Sequence, residues 1–165
     1  MDAIFTRTSV RSYEDKPVEA EKIQKILRAA MAAPSAMNQQ PWEFYVVTDK
    51  NALQELSQAS PYTGMVAGAP VAIAVCGRTE NLPVPDLVQV DLSLATENIL
   101  LEIEAQGLGG VMLGIAPFAD RMERVARILD LPENLEAFTV VPFGYPAKKN
   151  PQQDRYDEQR VHYIK

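Results

Sequence analysis

Pro34-Ser35-Ala36-Met37-Asn38-Gln39-Gln40-Pro41-Trp42 packs hydroxyl and amide side chains between two prolines, at a junction between two regular elements. Upstream, Ile23, Ile26, Leu27, Ala30 and Met31 recur at helical spacing, with Glu21, Lys22, Gln24, Lys25 and Arg28 on the opposite face. This predicts an amphipathic helix from Glu19 to Ala33, stopped by Pro34. Downstream, Phe44-Tyr45-Val46-Val47-Thr48 has the aromatic and β-branched content of a strand. Asp49-Lys50-Asn51 then turns the chain into a short helix around Leu53 and Leu56.

Further out, Val71-Ala72-Ile73-Ala74-Val75-Cys76 is apolar without interruption and ends at Gly77, as a strand covered on both faces in mid-sheet would. Leu82-Pro83-Val84-Pro85 reads as a loop, since proline fixes φ and removes a donor. From Asp86 to Gln106 the apolar residues spread around much of the helical circumference, which predicts a central helix covered on several sides. Gly107-Leu108-Gly109-Gly110 caps it and turns into a strand, Val111 to Ile115. A helix over Asp120 to Leu129 and a strand over Phe138 to Val141 follow, and after Tyr145-Pro146 the tail is too polar to form a core of its own. With no repeat and no linker, residues 1–165 read as one domain.

Composition narrows the function. The 165 residues are 47% hydrophobic, enough for a real core, and carry a formal net charge of −6, which disfavours nucleic acid and anionic membrane as partners. Cys76 is the single cysteine, which excludes a disulfide framework within the chain and suits a cytoplasmic protein. The start, Met1-Asp2-Ala3-Ile4-Phe5, has no basic leader, and no apolar run is long enough to span a bilayer. His162 is the only histidine, so a Ser-His-Asp triad or a typical zinc site has little to build on. The glycine cluster at 107–110 follows a helix, the reverse of a phosphate-binding loop, and reads as a turn.

Two segments point to a ligand. Arg7-Thr8-Ser9-Val10-Arg11 places two guanidinium groups and two hydroxyls within five residues; the planar fork of arginine suits a phosphate, although a solvated basic turn has the same composition. In the 34–42 stretch Asn38 and Gln40 can each donate and accept, matching the alternating edge of a flavin pyrimidine ring. A helix cap followed by a loop, with Trp42 in the core, is the plainer alternative.

In this order, with a helix between them, the two segments resemble the nitroreductase family, which opens with Arg-x-Ser-x-Arg/Lys and later carries Pro-Ser-x-x-Asn-x-Gln-Pro-Trp. The resemblance continues through Gly107-Leu108-Gly109, Leu113-Gly114-Ile115, Pro142-Phe143-Gly144-Tyr145-Pro146 and Arg155, covering essentially the whole chain. It implies an α+β fold with a central mixed β-sheet flanked by helices. It also implies an intertwined homodimer with two FMN sites at the subunit interface, the long helix around Ile99 lying there and the tail extending over the partner.

By the same resemblance Arg7, Thr8 and Ser9 hold the FMN phosphate and ribityl chain, with Arg155 as a further phosphate contact and Lys148 and Lys149 as weaker ones. Arg11 stands beside the flavin pyrimidine, where a cation stabilises the negative charge of the reduced ring. Pro34, Ser35, Asn38 and Gln40 reach the flavin, in many members from the opposite subunit. Gly114 brings a backbone N–H to flavin N5, and Leu113 stands where some members carry an acid. The implied activity is ping-pong electron transfer from NADH or NADPH to a small electron-poor acceptor, a nitroaromatic or quinone, with no catalytic side chain. Family branches that dehalogenate, reduce enones or oxidise azolines are alternatives, as is a non-enzymatic FMN carrier or regulator. The short span between Cys76 and Asp86 leaves little room for the helices that cover the site in larger members.

Overall fold

In the computed structural model, which describes residues 3–148, 151–152 and 154–165, the sheet is built around the apolar run at residue 71. Strand β2 (Val71–Arg78) lies between β1 (Trp42–Val47) and β5 (Leu135–Gly144), antiparallel to both, and is buried from Val71 through Gly77. Because side chains alternate across a strand, Val71, Ile73 and Val75 face one layer while Ala72, Ala74 and Cys76 face the other. This two-sided burial explains why the run lacks polar alternation.

Helices α2 (Ala20–Met31) and α4 (Val88–Ala105) cover the first face, packing Ile26, Ala30, Leu92, Ala95, Ile99 and Ile103 onto it. Helices α3 (Lys50–Leu56) and α5 (Ala119–Ile128) cover the second with Leu53, Leu56 and Val125. A short helix, α1 (Ala3–Thr6), precedes the first arginine and was not predicted. Helix α4 starts two residues later than predicted, after a 3-10 turn at Pro85–Leu87, and leaves one stripe uncovered: Leu87, Val90 and Leu94 are exposed. None of the described helices is long and apolar enough to cross a membrane.

The strand predicted over 111–115 is instead two short pieces, β3 (Gly109–Gly110) and β4 (Leu113–Gly114), both paired antiparallel with β5. The cause is Pro142. Val111 N donates to Pro142 O at 3.3 Å, and proline has no N–H to return the bond, so the ladder is interrupted between the pieces. All pairings between these strands are antiparallel; the parallel component of the mixed sheet is the Ser9–Gly110 bridge.

That bridge positions the site. Val10 N donates to Gly110 O at 3.0 Å, and Val10 packs on Gly109 so tightly that a Cβ there would lie 2.5 Å from Val10 Cγ2. The Tyr13 hydroxyl lies 2.8 Å from Val10 O and 3.0 Å from Pro142 O, tying the same segment to β5, and burial raises its pKa above the ordinary phenol value. Residues 7–11 are therefore fastened along the edge of the sheet beside β3 and β4.

Candidate functional site

Arg11, Leu113 and Gly114 meet in an open cleft of about 440 Å³, joined by Met112 and by Pro61, Tyr62, Gly64 and Met65 from the segment after α3. A side chain on Gly114 would meet nothing within 4 Å, so internal packing does not require glycine here. Its value is the space it leaves over the backbone. Leu113 enters the cleft through its main chain, because its side chain is buried in the second core layer with Val111, Ile115 and Val125. An apolar residue is what that inward direction requires. Arg121 of α5, which the sequence did not single out, donates from Nη1 to Gly114 O at 2.8 Å and lies over the Phe118 ring, 4.0 Å from its centre.

The Arg7 end of the segment fits an anion. Arg7 Nε is 3.9 Å from the Glu97 carboxylate, a loose pairing, and Arg11 and Ser9 are exposed. Thr8 Oγ1 is buried with no hydrogen-bond partner. A buried orphan hydroxyl costs about 1–3 kcal/mol, a cost that a ligand oxygen beside it would remove. Two guanidinium groups, an orphaned hydroxyl and an open glycine along one sheet edge suit a ligand with a phosphate at one end and a flat ring at the other.

The second segment is a strained, clamped loop. Met37, Asn38 and Gln40 all have positive φ, at 51°, 54° and 44°, a conformation that costs non-glycine residues about 1–3 kcal/mol each unless the surroundings enforce it. Asp91 of α4 provides that enforcement. Its carboxylate, 2% exposed, accepts from Ala36 N at 2.9 Å and Gln39 Nε2 at 2.7 Å. The Gln39 amide also pairs with Val84 through both of its ends, and Arg78 Nη2 donates to Gln39 O and Gln40 O. Sequence reasoning missed Gln39, Arg78 and Asp91; a lone carboxylate on an apolar helix face was the available signal. The clamp presents Asn38 and Gln40 at the surface, joined by a 2.9 Å bond from Gln40 Nε2 to Asn38 Oδ1, while Ser35 Oγ accepts from Gln40 N and Pro34 is exposed.

Among the described residues, the cleft that holds Arg11 and Gly114 includes none of residues 34–40 of the same chain. Asp91, which holds the loop, and Glu97, which faces Arg7, are six residues apart on α4, about 9 Å along the axis and about 120° around it. In the tail, Gln152 Nε2 donates to Ile4 O, but Arg155 is exposed and makes no hydrogen bond or ion pair among the described residues. Lys148 is exposed, and Lys149 lies outside the described residues. A larger hollow, about 700 Å³, opens beyond Tyr13 among Lys16, Thr48, Lys50 and Gln54, and shares no residue with the cleft.

The fold is thus a helix-covered, largely antiparallel sheet that carries a cationic segment and an open glycine on one edge. A family model described as "Nitroreductase family" matches residues 4–62 and 60–145, and the chain belongs to that family. A protein of Methanothermobacter thermautotrophicus, provisionally named NADH dehydrogenase/NAD(P)H nitroreductase, is 42% identical over all of this chain and 86% of its own length. A solved structure under the same provisional name, from Bacteroides thetaiotaomicron, is 46% identical with a TM-score of 0.94 over 98% of this chain and 95% of its own. An FMN-dependent nitroreductase of Clostridium difficile is 29% identical with a TM-score of 0.92, covering 99% of this chain and 98% of its own.

Proposed function

We propose that this chain is an FMN-dependent oxidoreductase that draws electrons from NADH or NADPH and delivers them to a small electron-poor acceptor of the nitroaromatic or quinone type. The observation that carries this reading is the sheet edge on which residues 7–11, bridged to Gly110, run beside the cleft where Arg11 and Gly114 meet. Held there, FMN would supply two-electron redox chemistry that links the nicotinamide donor to the acceptor in a ping-pong cycle. The names of the relatives, among them an FMN reductase of Bacillus subtilis and an NADPH-flavin oxidoreductase of Vibrio harveyi, support this donor and cofactor.

The protein's part is binding and electrostatics. Arg7, Thr8 and Ser9 hold the phosphate and sugar-alcohol chain, the orphaned Thr8 hydroxyl gaining the partner it lacks. Arg11 would set a permanent positive charge beside a ring held in the cleft, stabilising the negative charge of its reduced form, and the Gly114 main chain would line the same cleft. No side chain acts as a nucleophile.

The working unit in this reading is a homodimer, placed in the cytoplasm. The clamped loop of Pro34, Ser35, Asn38 and Gln40 and the cationic segment lie on different faces of α4, so a second copy is needed to bring one loop over the other chain's cleft. The apolar stripe of Leu87, Val90 and Leu94, with exposed Ile4 and Phe5 on α1, supplies the surface for that contact. Arg155, exposed on the tail, is a further phosphate contact in this reading.

Titration with FMN alongside measurement of mass in solution tests the reading. It predicts one FMN per chain and a dimer; a monomer that takes up no FMN would refute it.

A further inference from the structure

Thr139 of β5 is completely buried, and its hydroxyl crosses to the neighbouring strand, donating to Leu113 O at 2.6 Å. The acceptor is half of a particular peptide group. Leu113 C=O and Gly114 N–H belong to the same planar unit, so a hydrogen bond accepted by the oxygen fixes the direction of the N–H and makes it a stronger donor.

The ladder shows where that N–H points. Val111 N bonds to Pro142 O, and the register continues as Leu113 opposite Val140 and Gly114 opposite Thr139. Hydrogen-bonded and non-hydrogen-bonded pairs alternate in an antiparallel ladder, so Leu113 falls in a bonded pair and Gly114 in a non-bonded one. The Gly114 N–H is therefore turned away from β5, toward the edge of β4 that carries no strand among the described residues, in the lining of the cleft with Arg11. The next peptide is held as well, by Arg121 Nη1 on Gly114 O. Glycine has the freest backbone of any residue, yet here both flanking carbonyls are tied down by side chains.

We propose that Thr139 is a positioning residue: as a second donor to Leu113 O beside the ladder bond from Val140, it reinforces the direction and raises the donor strength of the Gly114 N–H toward the ring nitrogen of a bound flavin. This rests on the FMN reading of the cleft. Oxidised flavin N5 offers a lone pair to such a donor; after two-electron reduction it carries hydrogen and is no longer that acceptor. Weakening the donor therefore loosens oxidised FMN more than reduced FMN and raises the potential of the bound couple. A threonine that only satisfies its own hydroxyl inside the core would affect folding without changing that ratio.

The test compares full-length wild type, Thr139→Val and Thr139→Ser by FMN titration, by the midpoint potential of bound FMN against an indicator dye, and by melting temperature. Thr139→Val is expected to weaken oxidised-FMN binding about two- to fivefold. Reduced-FMN binding stays unchanged, and the potential rises by up to about 20 mV at 29.6 mV per decade. Thr139→Ser, which keeps the hydroxyl, is expected to match wild type. An unchanged potential in Thr139→Val overturns the proposal even if the melting temperature falls, and so does a Thr139→Ser shift as large as that of valine. Thr139→Ala supplies a second hydroxyl-free variant should valine fail to fold, with the same two outcomes. Wild type that binds no FMN would instead overturn the reading of the cleft itself.

Discussion

Val10 and Gly109 touch with no room between them: a Cβ on the glycine would fall 2.5 Å from Val10 Cγ2 and 2.8 Å from Val10 Cβ. This contact sets how closely the cationic segment lies against the sheet. Gly109→Ala forces Val10 away and is expected to destabilise the fold by about 1–3 kcal/mol. The corresponding drop in melting temperature is about 3–9 °C for a chain of this size. FMN binding should weaken in the same variant, as the displaced segment carries Arg7 and Arg11 with it. A melting curve and an FMN titration on one preparation check both outcomes.

Asp91 holds the strained loop, so its removal should act locally. Asp91→Ala leaves Ala36 N and one bond of Gln39 Nε2 without an acceptor inside the protein, a loss of about 1.5–3 kcal/mol per bond. Hydrogen exchange at the amides of residues 36–40 should accelerate well beyond that of β2, whose opening tracks global unfolding. Uniform acceleration across the chain would show that the carboxylate supports the fold at large rather than this loop.

Arg7 is assigned to a phosphate, and a ligand with and without phosphate separates charge recognition from ring recognition. Arg7→Ala is expected to weaken FMN binding about 10- to 100-fold, the value of one or two charge-assisted bonds, with riboflavin binding unchanged. Equal losses for both ligands would place Arg7 at the ring or in the fold.

Burial, with the Glu43 carboxylate adding to it, pushes the Cys76 thiol from 9.0 up to about 12. Since the folded value is the raised one, the stability associated with a neutral thiol is complete below pH 9 and is lost as pH climbs through about 12. The slope reaches up to about 1.4 kcal/mol per pH unit. Tyr13 and Tyr45, also raised, begin to add to the loss as pH approaches their ordinary value of 10.0. Denaturant titrations between pH 8 and 9.5 should therefore show stability declining in wild type and nearly flat in Cys76→Ala. Parallel curves would contradict the burial argument. The same buried thiol should resist alkylation until the protein unfolds.

What the sequence made legible was whatever depended on periodicity. Helix α2 came out close to its predicted bounds because Ile23, Ile26 and Ala30 mark one face, and β2 because both of its faces are covered. The break between β3 and β4 was hidden, since it depends on Pro142, about thirty residues away and visible only once β5 is paired. The residues that shape the site were illegible for a related reason. Asp91, Arg78, Thr139 and Arg121 act through side-chain bonds to backbone groups of other elements, which leave no pattern along the chain. The resemblance named the motif residues as candidates, and in the structure the loop of Asn38 lies outside the cleft of Gly114 in the same chain.

The most direct measurement is an anaerobic visible spectrum of the purified, FMN-loaded protein before and after adding NADH or NADPH. The account predicts a yellow protein bleached by at least one of them, with colour restored by a nitroaromatic or a quinone. A yellow protein that neither donor bleaches would contradict the proposed oxidoreductase and leave a flavin carrier; a colourless protein that cannot be loaded with FMN would contradict the site itself.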